Sequence, residues 1–233
     1  MHNELIWLVE IILNFLLIIA AYKLFGKWGL IMWIPVSIII ANIQVVQTIE
    51  LFGFSATLGN VVYATSFLVT DILSENYGKK EAGKAVWIGF FSLLAMTVLM
   101  NIALLYRPLA DDAFSAETYS ALDTIFSLMP RIALASVVAY VVSQRHDVWA
   151  FHFWKNRFPA DRHLWVRSNF STMVSQLFDS AIFVLIAFWG VFEKSILLEI
   201  FLTTYFFKWL VALADTPFVY WARKISRNGK FVT

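Results

Sequence analysis

The stretch Ala64-Thr65-Ser66-Phe67-Leu68-Val69-Thr70-Asp71-Ile72-Leu73-Ser74-Glu75-Asn76-Tyr77-Gly78 carries a carboxylate, Asp71, near the end of an apolar run. A charge at membrane depth costs about 2.5–3.5 kcal/mol at a helix centre on insertion scales, and it is tolerated where it faces a water- or ligand-filled interior. Whether this stretch spans a membrane therefore decides the fold. Composition answers the question. Of 233 residues, 60% are hydrophobic, 17% aromatic and only 15% charged, against about 25% charged in soluble domains. Mean hydropathy is +0.71. The chain reads as an all-α polytopic membrane protein.

At about 20 residues per span, this length accommodates six or seven helices and no separate soluble catalytic domain. Hydropathy predicts spans near 5–24, 30–51, 56–74, 84–106, 131–143, 169–189 and 195–215, the last continuing as an amphipathic end to 224. The fifth is short; it either begins before Pro130, within 122–129, or runs on through 148–153. With no internal repeat, low-complexity tract or linker, 1–233 is expected to form one transmembrane domain, an extra helix at 5–24 preceding a core at 28–224. Met1-His2-Asn3-Glu4 lacks a positive n-region and no Ala-x-Ala site follows, so the first span is expected to stay in the protein.

Lys and Arg set the expected orientation. Lys79, Lys80 and Lys84 crowd the loop after the third span, and Arg145, Lys155, Arg157, Arg162 and Arg167 crowd 144–167. Arg223, Lys224, Arg227 and Lys230 lie in the tail. The alternate loops are poor in both, Arg107 standing against Asp111, Asp112 and Glu117, and Lys194 beside Glu193. This places the C-terminus in the cytoplasm and the N-terminus outside, with Lys23 and Lys27 in an inside loop. Trp28, Trp33, Trp149, Trp154, Trp165 and Trp221 fall at predicted boundaries, as an interfacial aromatic belt does.

Polar groups within spans are the informative minority, because no water satisfies them there. The second span carries Asn42, Gln44, Gln47 and Glu50; amides serve either as interhelical glue or as the lining of a cavity. In the third, Asp71, Ser74 and Glu75 share a face at i, i+3 and i+4. In the sixth, Ser171, Ser175 and Asp179 stack at i, i+4 steps beside Thr172 and Gln176, making a polar stripe that points to an intramembrane site. In the seventh, Lys208 and Asp215 are about two turns apart. Lys208 is expected to neutralise a carboxylate from another helix, either Asp179 or Asp71. Asp215-Thr216-Pro217 reads as a local helix break or cap. Arg131 either guards an entrance or pairs with Asp123.

Several chemistries are disfavoured. Cysteine is absent, which removes disulfides and thiolates. His2, His146, His152 and His163 never stand at His-x-x-x-His spacing, so no zinc site is indicated. No Gly-rich nucleotide loop occurs: no cofactor is expected, and any ATP drive must come from another subunit. Asp71 and Asp179 lack the Tyr-Asp and Gly-x-Gly-Asp signatures of intramembrane aspartyl proteases, which disfavours an intramembrane enzyme.

The ordered set Asn42-Ile43-Gln44, Phe52-Gly53-Phe54, Thr70 to Gly78, Arg131 to Ser136, Ser143 to Asp147, Ser175 to Ser180, Lys208 and Asp215-Thr216-Pro217 resembles the queuosine precursor transporter family, also called a vitamin uptake transporter family. The resemblance runs over about 30–222. It implies a six-helix core like the substrate-binding subunits of energy-coupling-factor transporters, in the bacterial cytoplasmic membrane. It also implies import of 7-cyano-7-deazaguanine and 7-aminomethyl-7-deazaguanine for tRNA-base salvage, with no nucleic-acid-binding surface. A homo-oligomer is compatible with it.

A deazaguanine offers an N1–H and an exocyclic amine to a carboxylate, and a carbonyl to an amide. The expected binding residues are Asp179 or Glu50 as the carboxylate, Asn42, Gln44 and Gln176 as amides, and Phe178, Phe183 or Tyr205 as a stacking ring. Asp71 and Lys208 are expected as a supporting pair that switches partners, with Glu75, Arg131 and Asp215 as further charge-pair or gating candidates. A transporter of another heterocycle or vitamin, and a receptor or assembly factor without transport, stand as rival readings.

Overall fold

The computed structural model describes residues 2–126, 130–190 and 193–227. In chain order it comprises α1 (His2–Gln44), β1 (Thr48–Leu51), β2 (Phe54–Thr57), α2 (Asn60–Asn76), α3 (Lys79–Ala103), α4 (Ala113–Phe126), α5 (Pro130–Arg157), α6 (Leu164–Phe188) and α7 (Lys194–Arg227), with a 3-10 turn at Asp161–His163. Four described helices are long and apolar enough to cross a membrane, five when α4 and α5 are taken together. The protein is multi-pass.

α1 holds two of the expected spans. Gly26 adopts φ 58°, ψ −139°, a conformation that glycine enters without a Cβ penalty, and the helix doubles back there. The return is visible at the far end, where Asn3 Nδ2 donates to Glu50 O at 2.9 Å and the Phe52 N–H donates to Glu4 Oε1 at 3.2 Å. Outward-facing Leu5, Leu13, Leu24, Phe91, Leu99 and Leu105 leave the perimeter apolar, as lipid contact requires.

The second expected span stops short. α1 ends at Gln44, and a β-hairpin takes residues 48–57, with Thr48 paired to Thr57 and Leu51 to Phe54. Phe52 and Gly53 both have positive φ, 53° and 81°, the signature of a two-residue type I′ turn whose twist suits a hairpin. The protein is all-α apart from this hairpin, and the expected span over 30–51 is corrected at its end: Ile49, Leu51 and Ala56 line the inner face of a two-stranded hairpin rather than a continued helix. Phe52 lies against Trp7 and Phe207, ring centroids 6.0 and 6.2 Å away. The hairpin is thereby pinned over one end of the bundle.

α2 is the hub. It is enclosed from Val61 to Glu75 except at Tyr63, and it packs against α1, α3, α5, α6 and α7. Close approach needs small residues: a Cβ at Gly89 of α3 would collide with the Tyr140 hydroxyl and with Ile34 and Ile38, the small-residue packing usual between membrane helices.

Two further expectations change. Of the two alternatives for the fifth span, the one that runs on through 148–153 is found; α5 is helical to Arg157, so Gln144 and Asp147 are buried helix positions and not part of a basic loop. α7 passes through Pro217 without a break. The C-terminal half of the alternative start within 122–129, together with Lys230, lies outside the described residues.

An alanine at Gly26 must adopt a backbone conformation that non-glycine residues rarely enter, costing about 1–3 kcal/mol. Gly26→Ala is expected to lower the unfolding midpoint of the purified protein, whereas Gly83→Ala, which meets open space, is not; thermal unfolding of both in one detergent checks this.

Candidate functional site

A polar column follows α2, and three layers of it are distinct. The layer nearest the hairpin is built around Asp179 of α6. Its Oδ2 accepts from Lys208 Nζ of α7 at 2.5 Å, and its Oδ1 accepts from the Tyr63 hydroxyl at 2.5 Å and the Ser143 hydroxyl at 3.0 Å. Lys208 Nζ also lies 4.8 Å from the centre of the Tyr63 ring, a favourable cation–π placement. Asp179 and Lys208 are 2% and 4% exposed, so the pair is inside the protein and screened little by salt. Four helices thus converge on one carboxylate: α2, α5, α6 and α7.

Above this pair opens a cleft of about 410 Å³, counted to its mouth, lined by Asn42, Asn60, Tyr63, Ser136, Asp179, Phe183 and Lys208 among others. Asn60 Nδ2 is buried with no hydrogen-bond partner, leaving an orphaned donor at the cleft wall. Asn42 turns its Nδ2 to Ile38 O of its own helix at 2.9 Å, which leaves its carbonyl as the acceptor. Phe183 provides the aromatic wall.

One turn further along α2, Gln144 Nε2 donates to Ser66 Oγ at 3.1 Å. Gln176 is fully buried with both amide atoms unpartnered. Below them, Thr70 and Thr172 donate to the two oxygens of Asp147, each at 3.3 Å, and Ser168 donates to Asp71. Asp147 and Asp215 are the charged neighbours of Asp71. No Lys or Arg forms an ion pair with these three among the described residues, and no group of three or more His, Asp or Glu there is arranged to hold a metal.

The third layer closes the opposite end. Glu75, 5% exposed, receives Arg167 at 2.7 Å, Lys155 at 3.2 Å and Arg223 at 3.3 Å. Arg167, fully buried, also donates to the carbonyls of Phe158 and Pro159 at 3.0 and 3.1 Å. Helices α2, α5, α6 and α7 are tied together here by charge.

The expected site residues divide accordingly. Asp179 and Asn42 line the cleft, and Lys208 pairs with Asp179; the supporting pair with Asp71 does not form, because Asp71 sits in the middle layer on Ser168. Gln176 lies one turn from Asp179 without lining the cleft. Glu50 is on an exposed strand and Gln44 at the end of α1, so neither lines the cleft. Phe178 is 42% exposed with its ring against His146, 5.1 Å between centroids; Phe183 lines the cleft. Tyr205 stacks on Phe201. Arg131 donates to Ile186 O at 2.7 Å and Trp189 O at 2.5 Å, capping the C-terminus of α6. Glu75 is the hub of the third layer, and Asp215 is buried near Asp71.

Tyr63, Ser143, Asp147 and Arg167 were not singled out from the sequence. A signal existed for α5: Tyr140, Ser143, Gln144, Asp147 and Phe151 recur at helical spacing, a pattern hidden because Arg145 and His146 interrupt it like a loop.

A multi-pass helical protein with a cleft floored by a buried ion pair and its other end sealed by charge is a membrane transporter in class. A family described as "Putative vitamin uptake transporter" matches residues 57–222. The chain is 45% identical over 230 residues, 99% of both chains, to a "Probable queuosine precursor transporter" of Bacillus subtilis. It is 28% identical over 176 residues, 74% of this chain and 75% of the other, to a "Queuosine precursor transporter" of Escherichia coli. A Haemophilus influenzae relative named "Probable queuosine precursor transporter" is 29% identical over 59% of this chain and 54% of its own. This chain belongs to the vitamin uptake transporter family. No solved structure matches it.

Removing one partner of a buried ion pair strands the other and costs about 3–5 kcal/mol. Lys208→Ala is expected to destabilise the protein by that order, and Lys208→Ala with Asp179→Ala by less than the sum of the single changes; denaturation of the three variants in one detergent measures the coupling.

Proposed function

We propose that this protein imports 7-deazaguanine precursors of queuosine, 7-cyano- and 7-aminomethyl-7-deazaguanine, and that the cleft above Asp179 and Lys208 receives the ring. The observation that carries the reading is the Asp179 carboxylate at the floor of a cleft walled by amides and one phenyl ring. A carboxylate has about four acceptor sites, and Lys208, Tyr63 and Ser143 use three. The fourth accepts the ring N1–H, and the exocyclic amine displaces one hydroxyl. Asn60 Nδ2 donates to the ring carbonyl, and Phe183 stacks on its face. Such stacking contributes about 1–3 kcal/mol per base in nucleic-acid complexes. The ring's donors therefore weaken the hold of Tyr63 or Ser143 on Asp179, which loosens α2 or α5 from α6.

In this reading the unit is one transmembrane domain, with a six-helix core like the substrate-binding subunits of energy-coupling-factor transporters, preceded by the first arm of α1. It lies in the bacterial cytoplasmic membrane with the basic end and the C-terminus in the cytoplasm, following the positive-inside rule. The cleft then faces outward and the Glu75 cluster seals the inside. Transport proceeds without an ATPase subunit, by facilitated diffusion with trapping of the precursor inside.

Charge-assisted hydrogen bonds contribute about 1.5–3 kcal/mol, so Asp179→Asn is expected to cut uptake of labelled precursor by about ten- to a hundredfold in cells unable to make queuosine. Phe183→Ala should weaken uptake less. Wild-type rates in Asp179→Asn at equal membrane abundance overturn the site. Selective stabilisation of the purified protein by a vitamin, with none by deazaguanines, overturns the cargo.

Orientation has its own test. The chain has no cysteine, so single cysteines report cleanly. Thr118→Cys is expected to react with an impermeant maleimide on intact spheroplasts, and Lys224→Cys only after lysis; the reverse pattern inverts the topology.

A further inference from the structure

Outside the polar column, α3 and α5 leave a second recess at the basic end. It measures about 710 Å³ counted to its mouth and is lined by Lys79, Gly83, Val86, Trp87, Arg145, Val148 and Trp149. Of these, the two cations set its chemistry. Among the described residues neither Lys79 nor Arg145 forms an ion pair, whereas Lys27, Lys155, Arg167, Lys208 and Arg223 all do. The nearest acid on α3, Glu81, is already held by Lys27 at 3.1 Å. The recess is therefore electropositive and lacks a protein counter-charge.

Three further features point to one kind of occupant. The Arg145 guanidinium lies 5.3 Å from the centre of the Trp87 ring, within cation–π reach, and a guanidinium offers paired N–H groups for bidentate contact with phosphate oxygens. α3 begins at Gly78 with no side chain capping its first turn, so amide N–H groups beside Lys79 add to the positive field. Trp87 and Trp149 line the recess at 50% and 54% exposure, amphipathic rings of the kind that suits a headgroup region. Gly83 opens the wall: a Cβ there meets no atom within 4 Å. Lys79 to Trp87 spans about 12 Å of helix rise, with buried Val86 and Val148 among the residues that line it.

We propose that this recess binds the phosphate headgroup of an anionic phospholipid, held between Lys79 and Arg145 with its glycerol end against Trp87 and Trp149. Basic pockets between membrane helices are suited to such headgroups. The proposal does not depend on the identity of the transported cargo.

The test titrates detergent-purified full-length protein with phosphatidylglycerol, cardiolipin or phosphatidylcholine, reading the unfolding midpoint and, by native mass spectrometry, the lipid retained. Anionic lipid is expected to stabilise the protein saturably and to stay bound, phosphatidylcholine to do neither, and inorganic phosphate at millimolar concentration to reproduce neither effect. Lys79→Gln with Arg145→Gln should weaken retention at least tenfold, while Arg145→Lys retains part of it and Lys224→Gln leaves it unchanged. The midpoint in phosphatidylcholine reports whether each variant is folded. Equal effects of phosphatidylcholine, or a double variant that binds anionic lipid as wild type does while folded, overturn the proposal. Reproduction by inorganic phosphate overturns the lipid as occupant and leaves a simple anion site.

Discussion

α2 has almost no face turned to lipid, and this enclosure governs the rest. A helix surrounded by five packing partners has to satisfy every polar group it carries from its neighbours. Tyr63, Ser66, Thr70, Asp71 and Glu75 therefore dictate what α5, α6 and α7 present: Ser143, Gln144, Asp147, Arg167, Ser168, Asp179 and Lys208. The apolar perimeter keeps the bundle in the bilayer, while the interior is organised by hydrogen bonds and charge. An apolar interior of the same volume would pack at least as stably, since buried ion pairs are weak evidence of stability.

The two ends of that column differ in kind. At the hairpin end a single pair, Asp179 and Lys208, faces a cleft with an unpartnered amide at its wall. At the basic end Glu75 binds three cations and Arg167 additionally ties down the carbonyls that precede α6. The first arrangement leaves polar groups facing open space; the second is cross-linked. The two ends are therefore held differently, and parting the helices at the basic end means separating Glu75 from cations on α5, α6 and α7 together.

Much of this was legible in the residues. Long apolar runs disclosed the helices, and the i, i+4 stripe ending at Asp179 marked the cleft floor. Lys208 demanded a carboxylate, but helical spacing alone could not say which, because Asp71 and Asp179 reach the interior from different helices at different depths. The hairpin was missed because Ile49, Leu51 and Phe54 raise hydropathy equally in a helix or a strand. Glu50 looked like an intramembrane acid for the same reason. The extent of α5 stayed open between two alternatives because Arg145 and His146 turn outward between buried Gln144 and Asp147, and a hydropathy window averages over both faces.

The brevity of α2 has a mechanical meaning. Its 17 residues make a rod of about 25 Å, shorter than the roughly 30 Å hydrocarbon slab. Tyr63 and Glu75, at the floor of the cleft and the far seal, are separated by only about 18 Å of helical rise. The pair that floors the cleft and the cluster that closes the far end thus stand closer together than the apolar slab is thick, so any movement of this one rod bears on both ends of the column at once.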